Sequence, residues 1–557
     1  MDLFTAMEQH NSRVSVLSSR IKQFHTEGIP FRVYHGNTNS TRPSVRSQSN
    51  SLDISHMNNI LSIDKSTQTC IVESNVPMDA LVDACLEHDL IPPIVPEYPG
   101  ITVGGAFTGT AGESSSFKYG YFDSTVTWCE AILADGTVVR CSNTDGPYND
   151  KADLFSGLKG TFGTLGIGVL FNLKLIAAAR YVELTYTPIS RGIEETKQVL
   201  KTFCTNSQTT KDNDDNNNNQ IDYIDGIIFT RSTAIITTGK LTNSNSAGLP
   251  ITTFHNPTDP WFYLHAQSIL KTSLPKVTTS PTTPSTRPKP SITHAVSTHD
   301  PPYATPPYRE LVPLKSYLFR YDRGAFWMGK YGFEYFLTPF TWASRYVFDS
   351  LMRTRVLYHA LHRSGVGAEY LVQDVVLPFG GVTGFFNWIC ENIGLFPLWV
   401  CPILVPGSQS GGGLFNPRSL SRSANHDAGM DQKDTRELML NIGLWGPCPH
   451  GSDPISINRA LETKVKEANG MKWLYAQTFY TEDEFWSIYE NRDAYQALRK
   501  KYGAEGLPDV FEKVSNGKGR KGEKGNGGVW NIWPLGGLYA LGSVFLGGGD
   551  YLRRRSG

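Results

Sequence analysis

The sequence predicts an α+β protein of at least two domains, and three observations lead to this prediction. The chain has 557 residues, well beyond the usual domain length of about 100–200 residues. Strand-like runs of β-branched residues are interspersed with segments whose apolar residues recur every three or four positions, the period of a helix. Several strand-like runs in the first third of the chain also lead into glycine- and hydroxyl-rich turns, which allow close contact with a ligand.

The composition narrows the possible functions. Lys plus Arg and Asp plus Glu are equal at 52 each, so no overall field attracts nucleic acid and we predict no nucleic-acid partner. The eight cysteines are scattered without a C-x-x-C pair, and we therefore predict no metal site. Scattered thiols of this kind are typical of a chain that faces a reducing compartment.

The N-terminal part of the chain alternates between the two kinds of element. Residues 1–24 have the apolar spacing of an amphipathic helix and are too polar for a signal peptide or a membrane anchor. A strand at 31–34 leads into a small, hydroxyl-rich turn at 35–42. This turn is one candidate cradle for a phosphate, because small residues expose backbone N–H groups. Short strands and a helix near 77–86 follow.

Residues 99–120, here called the glycine segment, are rich in Gly, Ser and Thr. We expect a loop whose backbone N–H groups and hydroxyls hold a pyrophosphate without a basic side chain. A plain glycine-rich surface turn is the alternative that the composition leaves open. Beyond it, strands at 124–133 and 137–141 flank Asp135-Gly136, a signal for a tight hairpin. A third glycine cluster at 160–168 opens another strand.

Taken together and in this order, the motifs resemble a known family. The turn after the first strand, the Thr-Val-Gly-Gly loop, the Ala-Asp-Gly hairpin and the Gly-Thr-Leu-Gly-Ile edge are similar to the flavin-binding half of the vanillyl-alcohol-oxidase/p-cresol-methylhydroxylase (PCMH) flavoproteins. The resemblance implies a two-subdomain PCMH-type FAD-binding domain with an α+β substrate (cap) domain. The implied ranges are a helix at 1–24, the FAD-binding domain at 25–180, the substrate domain at 181–465, a C-terminal segment packing on the FAD domain at 466–514, and a tail at 515–557.

The same resemblance implies where FAD binds. Backbone amides of the first two turns hold the pyrophosphate in that family, and the last cluster contacts the adenine and ribose. The implied FAD-binding residues are Gly36, Asn37, Thr38, Asn39, Ser40, Thr102, Val103, Gly104, Gly105, Thr108, Gly109, Ser114, Ser115, Ser116, Gly163, Thr164, Gly166 and Ile167.

The resemblance narrows to the Δ24-sterol reductases (24-dehydrocholesterol reductases). It spans about residues 30–512 and is carried by Thr102-Val103-Gly104-Gly105, Glu113-Ser114-Ser115-Ser116, Lys118-Tyr119-Gly120, Leu371-Val372-Gln373-Asp374, Trp399-Val400-Cys401-Pro402 and Leu474-Tyr475-Ala476. It implies reduction of the Δ24 side-chain double bond of a sterol by FAD, with NADPH as electron donor, at the cytosolic face of the endoplasmic reticulum membrane or on another membrane facing the cytoplasm. Glu113, Lys118 and Tyr119 are the catalytic candidates, with Asp374 and Tyr475 after them.

Two departures from the family change the expectations. The hydrophobic anchor that begins those reductases is absent here, so membrane association is expected from elsewhere. Members of the wider family that bind FAD covalently carry a His where this chain has Asn39. Asparagine cannot form that bond, so we expect non-covalent FAD.

The second half of the chain combines aromatic segments with low-complexity insertions. Segments such as 331–336 and 340–342 suit a large, flat, apolar ligand such as a sterol, or an ordinary aromatic core. The insertions at 205–220, 275–308 and 407–435 lack the apolar content needed to offset ordering entropy, so we predict disordered surface loops without a catalytic part.

Asp374 lies in the strand-like run 371–377, with Val372 and Val376 on the same face. A carboxyl buried there without a partner would have a raised pKa and could donate a proton at neutral pH. A salt bridge to a nearby Arg or Lys explains the residue equally well.

The C-terminal tail differs from the rest of the chain. A Gly/Lys/Arg linker at 515–524 is followed by 525–549, twenty-five residues without a charge. The length would span a bilayer, but Pro534 and the many glycines disfavour a regular helix. A tail anchor, an interfacial segment between basic clusters and a disordered tail all remain open.

Two other functions also fit the sequence. An aldonolactone or alcohol oxidase of the same superfamily would reoxidise its flavin with O₂ and form peroxide, whereas a reductase would consume NADPH with little peroxide. A sterol-binding protein without activity would hold no flavin. The sequence contains no separate dinucleotide fingerprint that would mark an NADPH site.

Overall fold

The computed structural model describes most of the chain. The described residues are 2–36, 40–42, 48–143, 149–209, 220–274, 307–364, 366–405, 413–417, 437–489, 491–515, 537–538 and 542. Asn37, Thr38 and Asn39 lie outside these ranges, as do most of the three predicted insertions and most of the tail.

Helices and antiparallel sheets occur side by side, and the predicted α+β class is confirmed. The helices are α1 (Leu3–Thr26), α2 (Met78–Leu86), α3 (Val103–Thr108), α4 (Ser116–Tyr119), α5 (Ala152–Leu158), α6 (Ile193–Thr209), α7 (Phe262–Ser273), α8 (Leu314–Leu318), α9 (Met328–Tyr335), α10 (Trp342–Val347), α11 (Thr354–Ser364), α12 (Val382–Asn392), α13 (Pro454–Glu467), α14 (Glu482–Ile488), α15 (Arg492–Lys501) and α16 (Val510–Val514). The strands are β1 (Arg32–Tyr34), β2 (Ser51–Asp53), β3 (Ile60–Asp64), β4 (Thr69–Glu73), β5 (Leu90–Ile91), β6 (Val126–Leu133), β7 (Val138–Ser142), β8 (Gly166–Lys174), β9 (Ile176–Ala177), β10 (Tyr181–Ile189), β11 (Tyr223–Ile228), β12 (Ala234–Thr242), β13 (Tyr308–Pro313), β14 (Tyr370–Pro378), β15 (Leu398–Val405), β16 (Glu437–Pro447) and β17 (Met471–Lys472).

The first part of the chain is built on a five-stranded antiparallel sheet in the order β3-β4-β8-β6-β7. The predicted hairpin is present as β6 and β7, where Cys129 pairs with Cys141 and the two sulfurs lie 3.4 Å apart. A short parallel pair, β1 and β2, stands beside this sheet and leads into the turn after β1.

The N-terminal helix α1 is tied to the five-stranded sheet by a buried polar contact. His10 lies 2.8 Å from a carboxylate oxygen of Glu73 on β4 and 3.0 Å from one of Glu130 on β6. These carboxylates raise the pKa of His10 against the opposing effect of burial. The helix is therefore an integral part of this domain.

The second part of the chain is built on an eight-stranded antiparallel sheet in the order β13-β10-β12-β11-β15-β16-β14-β17. The first of its strands along the chain, β10, begins at Tyr181. Strands β11 and β14 to β16 carry continuous buried runs, because helices α6, α12 and α13 cover one face of the sheet and the first domain faces the other.

The C-terminal segment contacts both parts of the molecule. Strand β17 adds an edge to the large sheet. Tyr495 on α15 donates a hydrogen bond to Thr164 in the third glycine cluster at 2.7 Å, and Lys501 pairs with Asp153 on α5 at 2.6 Å. The packing of residues 466–514 against the first domain therefore involves polar as well as apolar contacts.

Two sequence-based expectations differ from the structure. The glycine segment is not one continuous loop, because it forms α3 and α4. Within the predicted insertion 407–435, residues 413–417 are not a surface loop, since Phe415 and Asn416 are buried and Asn416 donates to Asp123 at 3.0 Å. Local composition could not reveal that a glycine-rich stretch fills a gap in the first domain.

In the part of the chain that the structure describes, no helix has the length and apolar character needed to cross a membrane.

Candidate active site

A cavity of about 370 Å³, here called the main cavity, lies between the two sheets. Its volume falls in the range of about 300–1,000 Å³ that is usual for ligand sites. The first-domain wall includes Thr102, Gly104, Gly105, Thr108, Gly109, Gly163, Gly166 and Ile167, all of them predicted FAD-binding residues. The opposite wall includes Phe326, Asp374, Trp399, Asn441, Trp445 and Tyr475 from the second domain and the C-terminal segment.

The start of α3 lines the main cavity with glycine backbone, and its first N–H groups are bonded within the protein. Thr102 caps this helix and accepts a hydrogen bond from the N–H of Gly105 at 3.2 Å. The N–H of Gly104 donates to the carbonyl of Ser74 at 2.7 Å, and a Cβ at Gly104 would lie 3.0 Å from the Cβ of Ser74. Gly104 thus allows the helix to touch the strand behind it. A Cβ at Gly105 would meet only the hydroxyl of Thr102, at 3.1 Å.

The other two glycine turns contribute unequally. After β1, Ser40 lines the main cavity, whereas Gly36 does not, although its φ of 73° lets the chain turn there. In the third cluster Gly163 lines the cavity with a φ of 76°. Thr164 faces away, because its hydroxyl donates to the carbonyl of Thr161 and accepts from Tyr495. Val103 is buried behind the cavity wall.

The residues present fit an FAD molecule. The wall exposes glycine backbone along α3 and along residues 163–168, which leaves room for a pyrophosphate and a ribose. Three buried polar atoms of cavity-lining residues, Oγ of Ser74, Oε1 of Glu97 and Oδ1 of Asn441, have no hydrogen-bond partner within the described residues. Such groups are costly to bury unless a ligand or water completes them.

Residues 113–116, which follow α3, have a structural role. Ser114 donates to a carboxylate oxygen of Glu113 at 2.6 Å, Ser115 donates to its other oxygen, and Ser116 accepts from the Glu113 N–H at 2.8 Å. All four residues are buried and none lines the main cavity. Burial raises the pKa of Glu113 against these hydrogen bonds. The resemblance implied FAD contacts for Ser114, Ser115 and Ser116 and a catalytic part for Glu113, and these stay predictions; in the structure the four side chains bond to one another.

Lys118 and Tyr119 also lie away from the main cavity. The ammonium of Lys118 pairs with Asp222 at 2.9 Å and stands 5.3 Å from the centre of the Tyr119 ring. The Lys118–Asp222 ion pair joins α4 to the residue just before β11. The geometry therefore gives no support to a catalytic role for Lys118 or Tyr119, because neither side chain reaches the space where a cofactor and a substrate would meet.

Asp374 and Tyr475, by contrast, come together at the wall of the main cavity. The Tyr475 hydroxyl donates to Oδ2 of Asp374, and the amide of Asn441 donates to Oδ1 at 3.1 Å. No Lys or Arg of the described residues pairs with this carboxylate. Burial raises the pKa of Asp374 to about 6, in spite of those hydrogen bonds. Of the two interpretations open from the sequence, the raised pKa holds and the salt bridge does not.

Glu97 is a cavity residue that the sequence analysis missed. Its carboxyl is buried, lines the main cavity, and has a pKa held well above the ordinary value, mainly by burial and also by the nearby Glu113. The sequence did contain a signal for this residue, because Glu97 is a single acid directly after the apolar run 91–96. A neutral Glu97 can donate a hydrogen bond into the cavity.

Aromatic side chains close the second-domain wall. Ala325 and Phe326 adopt left-handed backbone conformations with φ of 44° and 63°. This places the Phe326 ring 3.8 Å from the ring centre of Tyr321 and 4.3 Å from that of Trp445. Left-handed non-glycine residues cost about 1–3 kcal/mol each and concentrate at ligand sites. The backbone conformation of this pair therefore fixes the Phe326 ring beside Tyr321 and Trp445.

A second cavity of about 380 Å³, here called the apolar cavity, adjoins the first. Tyr98, Tyr358 and Trp445 line both cavities. The remaining walls are almost wholly apolar or aromatic and come mostly from the region between β13 and β14 and from β14 itself. They include Met328, Tyr331, Phe333, Phe336, Phe348, Leu351, Met352, Leu357, Leu361, Tyr370 and Val372, together with Gly537 and Leu538 of the tail.

Strand β14 runs along both cavities. Side chains two residues apart point to the same face of a strand and stand about 6.6 Å apart. Tyr370 and Val372 line the apolar cavity, and Asp374 lines the main cavity. The carboxyl of Asp374 is therefore at the junction of the two spaces.

Comparison with known proteins agrees with this site. Residues 13–142 match the family model described as FAD binding domain, so the fold and the site define an FAD-dependent oxidoreductase. Over most of its length the chain is similar to Delta(24)-sterol reductases. It is 25% identical to that of Homo sapiens over 92% of this chain and 87% of the relative, and 26% identical to that of Pisum sativum over 84% and 76%. The predicted resemblance is confirmed.

A third relative shows the same likeness. The Delta(24)-sterol reductase of Arabidopsis thaliana is 26% identical over 84% of this chain and 77% of its own length. The matched lengths include the second domain, so the likeness covers the apolar cavity as well as the FAD-binding part.

Proposed function

We propose that this protein reduces the Δ24 side-chain double bond of a sterol, with FAD in the main cavity and NADPH as electron donor. The observation that carries the proposal is the junction of an apolar cavity with the glycine-lined main cavity at Asp374. The backbone of α3 and of the 163–168 turn would hold FAD, which would supply hydride transfer from NADPH to one carbon of the double bond. A proton must reach the other carbon, and the protein supplies its path.

The apolar cavity would hold the sterol. Its volume and its aromatic and aliphatic lining suit a rigid hydrocarbon, since apolar burial contributes about 25 cal/mol per Å². The flexible side chain of the sterol would then point past Tyr98, Tyr358 and Trp445, the residues shared with the main cavity. This orientation brings the double bond to the Asp374 end of β14 and keeps the rings away from the flavin.

Asp374 and Tyr475 would provide the proton. The Tyr475 hydroxyl donates to Asp374, and burial together with the neighbouring Asp374 charge raises the pKa of Tyr475 well above its ordinary value. Tyr475 is thus a neutral donor at physiological pH. Asp374, with a pKa of about 6, can take up a proton from solvent and return it to the pair. Glu97 would hold a hydrogen bond to the cofactor from its own wall.

FAD would bind non-covalently, through the backbone of α3, Ser40 and the 163–168 turn. The argument for the absence of a covalent bond is Asn39, whose position lies outside the described residues.

Membrane association is part of the proposal, because sterols partition into bilayers. Large apolar side chains are exposed on and beside α10, including Leu337 at 76%, Val347 at 67% and Trp342 at 56% exposure. Their neighbours Phe336, Thr338 and Phe348 line the apolar cavity. A lipid surface against this patch would let a sterol enter without crossing water. The apolar tail at 525–549 would anchor the protein beside this patch, and the endoplasmic reticulum is the expected membrane.

The experiment is a turnover assay on membranes that contain the protein. Incubation with Δ24 sterols and NADPH, followed by mass spectrometry, should give products two mass units heavier. NADPH should be consumed with little peroxide. Peroxide formation equal to substrate use would favour the oxidase alternative, and a purified protein that holds no flavin after reconstitution would favour a binding protein.

Matched tyrosine variants test the placement of the proton path. Tyr475→Phe should lower the turnover number about 10²–10⁴-fold, the usual contribution of a general acid. Tyr119→Phe removes a hydroxyl of the same kind away from the cavity and should leave turnover unchanged. The reverse result would return the proton path to the Lys118–Tyr119 pair.

A further inference from the structure

Three basic side chains meet at one end of the main cavity and come from distant parts of the chain. Arg32 lies on β1, Arg42 lies ten residues later, and Lys513 lies on the last helix, α16; all three line the cavity. Arg42 donates from Nε to the Tyr475 carbonyl at 3.3 Å and from Nη1 to the Lys513 carbonyl at 3.2 Å. Its guanidinium also lies 4.4 Å from the ring centre of Phe162.

The group is held in a defined arrangement. The ammonium of Lys513 donates to the carbonyl of Phe162 in the third glycine turn. A Cβ at Gly163 would lie 3.8 Å from the same nitrogen. Lys513 therefore points at the turn that lines the cavity, and its hydrogen bonds to Phe162 and Arg42 hold it against the first domain.

The positive charge of the group is not balanced by carboxylates. In the described residues none of the three side chains forms an ion pair within 4.0 Å, and Glu512 on α16 attracts Arg32 from a greater distance. Burial and the like charges of Arg32 and Arg42 lower the pKa of Lys513 to about 7. Burial and Arg32 lower the pKa of Arg42 to about 10. Like charges this close are unfavourable unless an anion joins them.

We propose that Arg32, Arg42 and Lys513 bind the phosphates of the dinucleotide cofactor, FAD, in the main cavity. The inference rests on the proposed function and adds to it a charged contact that the glycine turns do not supply. Guanidinium and ammonium groups form short, strong hydrogen bonds with phosphate oxygens. Lys513 comes from the C-terminal segment, so cofactor binding would also fasten that segment, and with it Tyr475, onto the FAD-binding domain.

The test compares two flavins that differ in their phosphates. Protein freed of flavin is titrated with FAD and, separately, with riboflavin, which has no phosphate, and flavin fluorescence reports the dissociation constants. Lys513→Met should weaken FAD binding about 10–100-fold, because a hydrogen bond to a charged group contributes roughly one to two powers of ten. It should leave riboflavin binding unchanged. Raising the salt concentration should weaken FAD binding less in the variant than in the parent protein.

Two further variants complete the test. Lys513→Arg keeps the charge and should bind FAD within about threefold of the parent protein. Lys501→Met removes a lysine of the same C-terminal segment that pairs with Asp153 outside the cavity and should have no effect on either flavin.

Several outcomes would overturn the inference. An unchanged FAD affinity in Lys513→Met would do so, and so would an equal loss for FAD and riboflavin, which indicates general damage to the site. If FAD affinity holds while the flavin-loaded variant loses affinity for NADPH, the phosphates are those of NADPH. A parent protein that binds no FAD at all would instead refute the proposed function.

Discussion

Replacement of Asp374 by asparagine should make the protein more stable at alkaline pH and far less active. The carboxyl of Asp374 has a folded-state pKa of about 6 against an ordinary value of 3.8, and burial is the main cause. A difference of about two pH units corresponds to about 3 kcal/mol between the protonated and ionised forms. Because the folded-state pKa is raised, protonated Asp374 contributes fully to the free energy of unfolding below about pH 4. This contribution is lost as the pH rises through 6.

Asparagine should fit the same site without a charge. Its carbonyl can accept from the Tyr475 hydroxyl, and its NH₂ can donate to Oδ1 of Asn441, which has no hydrogen-bond partner within the described residues. A turn of the Asn441 amide about its last bond makes this possible. The variant therefore avoids the cost of the buried charge at every pH.

Denaturant unfolding of flavin-free protein, followed by tryptophan fluorescence, gives the measurement. The free energy of unfolding of the variant should exceed that of the parent protein by up to about 3 kcal/mol at pH 8 and by little near pH 4. Turnover should fall about 10²–10⁴-fold, and the parent activity itself should decline above about pH 6 as Asp374 loses its proton.

Asp225 provides a contrasting control. Its carboxylate forms a fully buried ion pair with Arg320 at 2.7 Å. Asp225→Asn should therefore destabilise the fold by about 3–5 kcal/mol at pH 8, opposite in sign to Asp374→Asn. A loss of stability in both variants at pH 8 would refute the reasoning, since it would mean that Asp374 also has a cationic partner in the folded protein.

Three further predictions concern the cofactor and the membrane. Gly105→Val should abolish FAD binding, because its Cβ would lie 3.1 Å from the Thr102 hydroxyl and its methyl groups would enter the main cavity; full flavin content in this variant would show that α3 is not the cradle. Acid precipitation should release the yellow flavin into the supernatant, as Asn39 implies, and flavin left in the pellet would contradict this. Truncation after Asn516 should move the protein to the soluble fraction with its FAD, if the apolar segment 525–549 is the anchor. A truncated protein that still pellets in high salt would identify the exposed side chains on and beside α10 as the docking surface.

Much of the first domain was predictable because its signals are local. A glycine that must turn, a hairpin at Asp135-Gly136 and the alternation of short strands depend on a few neighbouring residues. The strands β1, β4, β6, β7 and β8 lie where these signals placed them. The same local reasoning misjudged the glycine segment, because its first turns satisfy their N–H groups by forming α3 against Ser74.

The catalytic candidates could not be ranked from the sequence. Glu113, Lys118 and Tyr119 belong to a motif next to the glycine turn, yet none of them lines the main cavity. Glu113 bonds to Ser114 and Ser115, and Lys118 pairs with Asp222. A chain segment shows which residues are near in sequence. It does not show which face of the segment meets the cofactor.

By itself, then, the sequence determined the α+β class, the glycine turns of the FAD-binding domain and the family likeness, because each depends on residues adjacent in the chain. Only the tertiary structure decided the reactive end of the site. Asp374 and Tyr475 are 101 residues apart, and Arg42 and Lys513 are 471 apart, yet each pair meets at one cavity. The raised pKa of Asp374 and the unbalanced charge of Lys513 come from burial and from neighbours that folding supplies, and a linear order of residues contains neither.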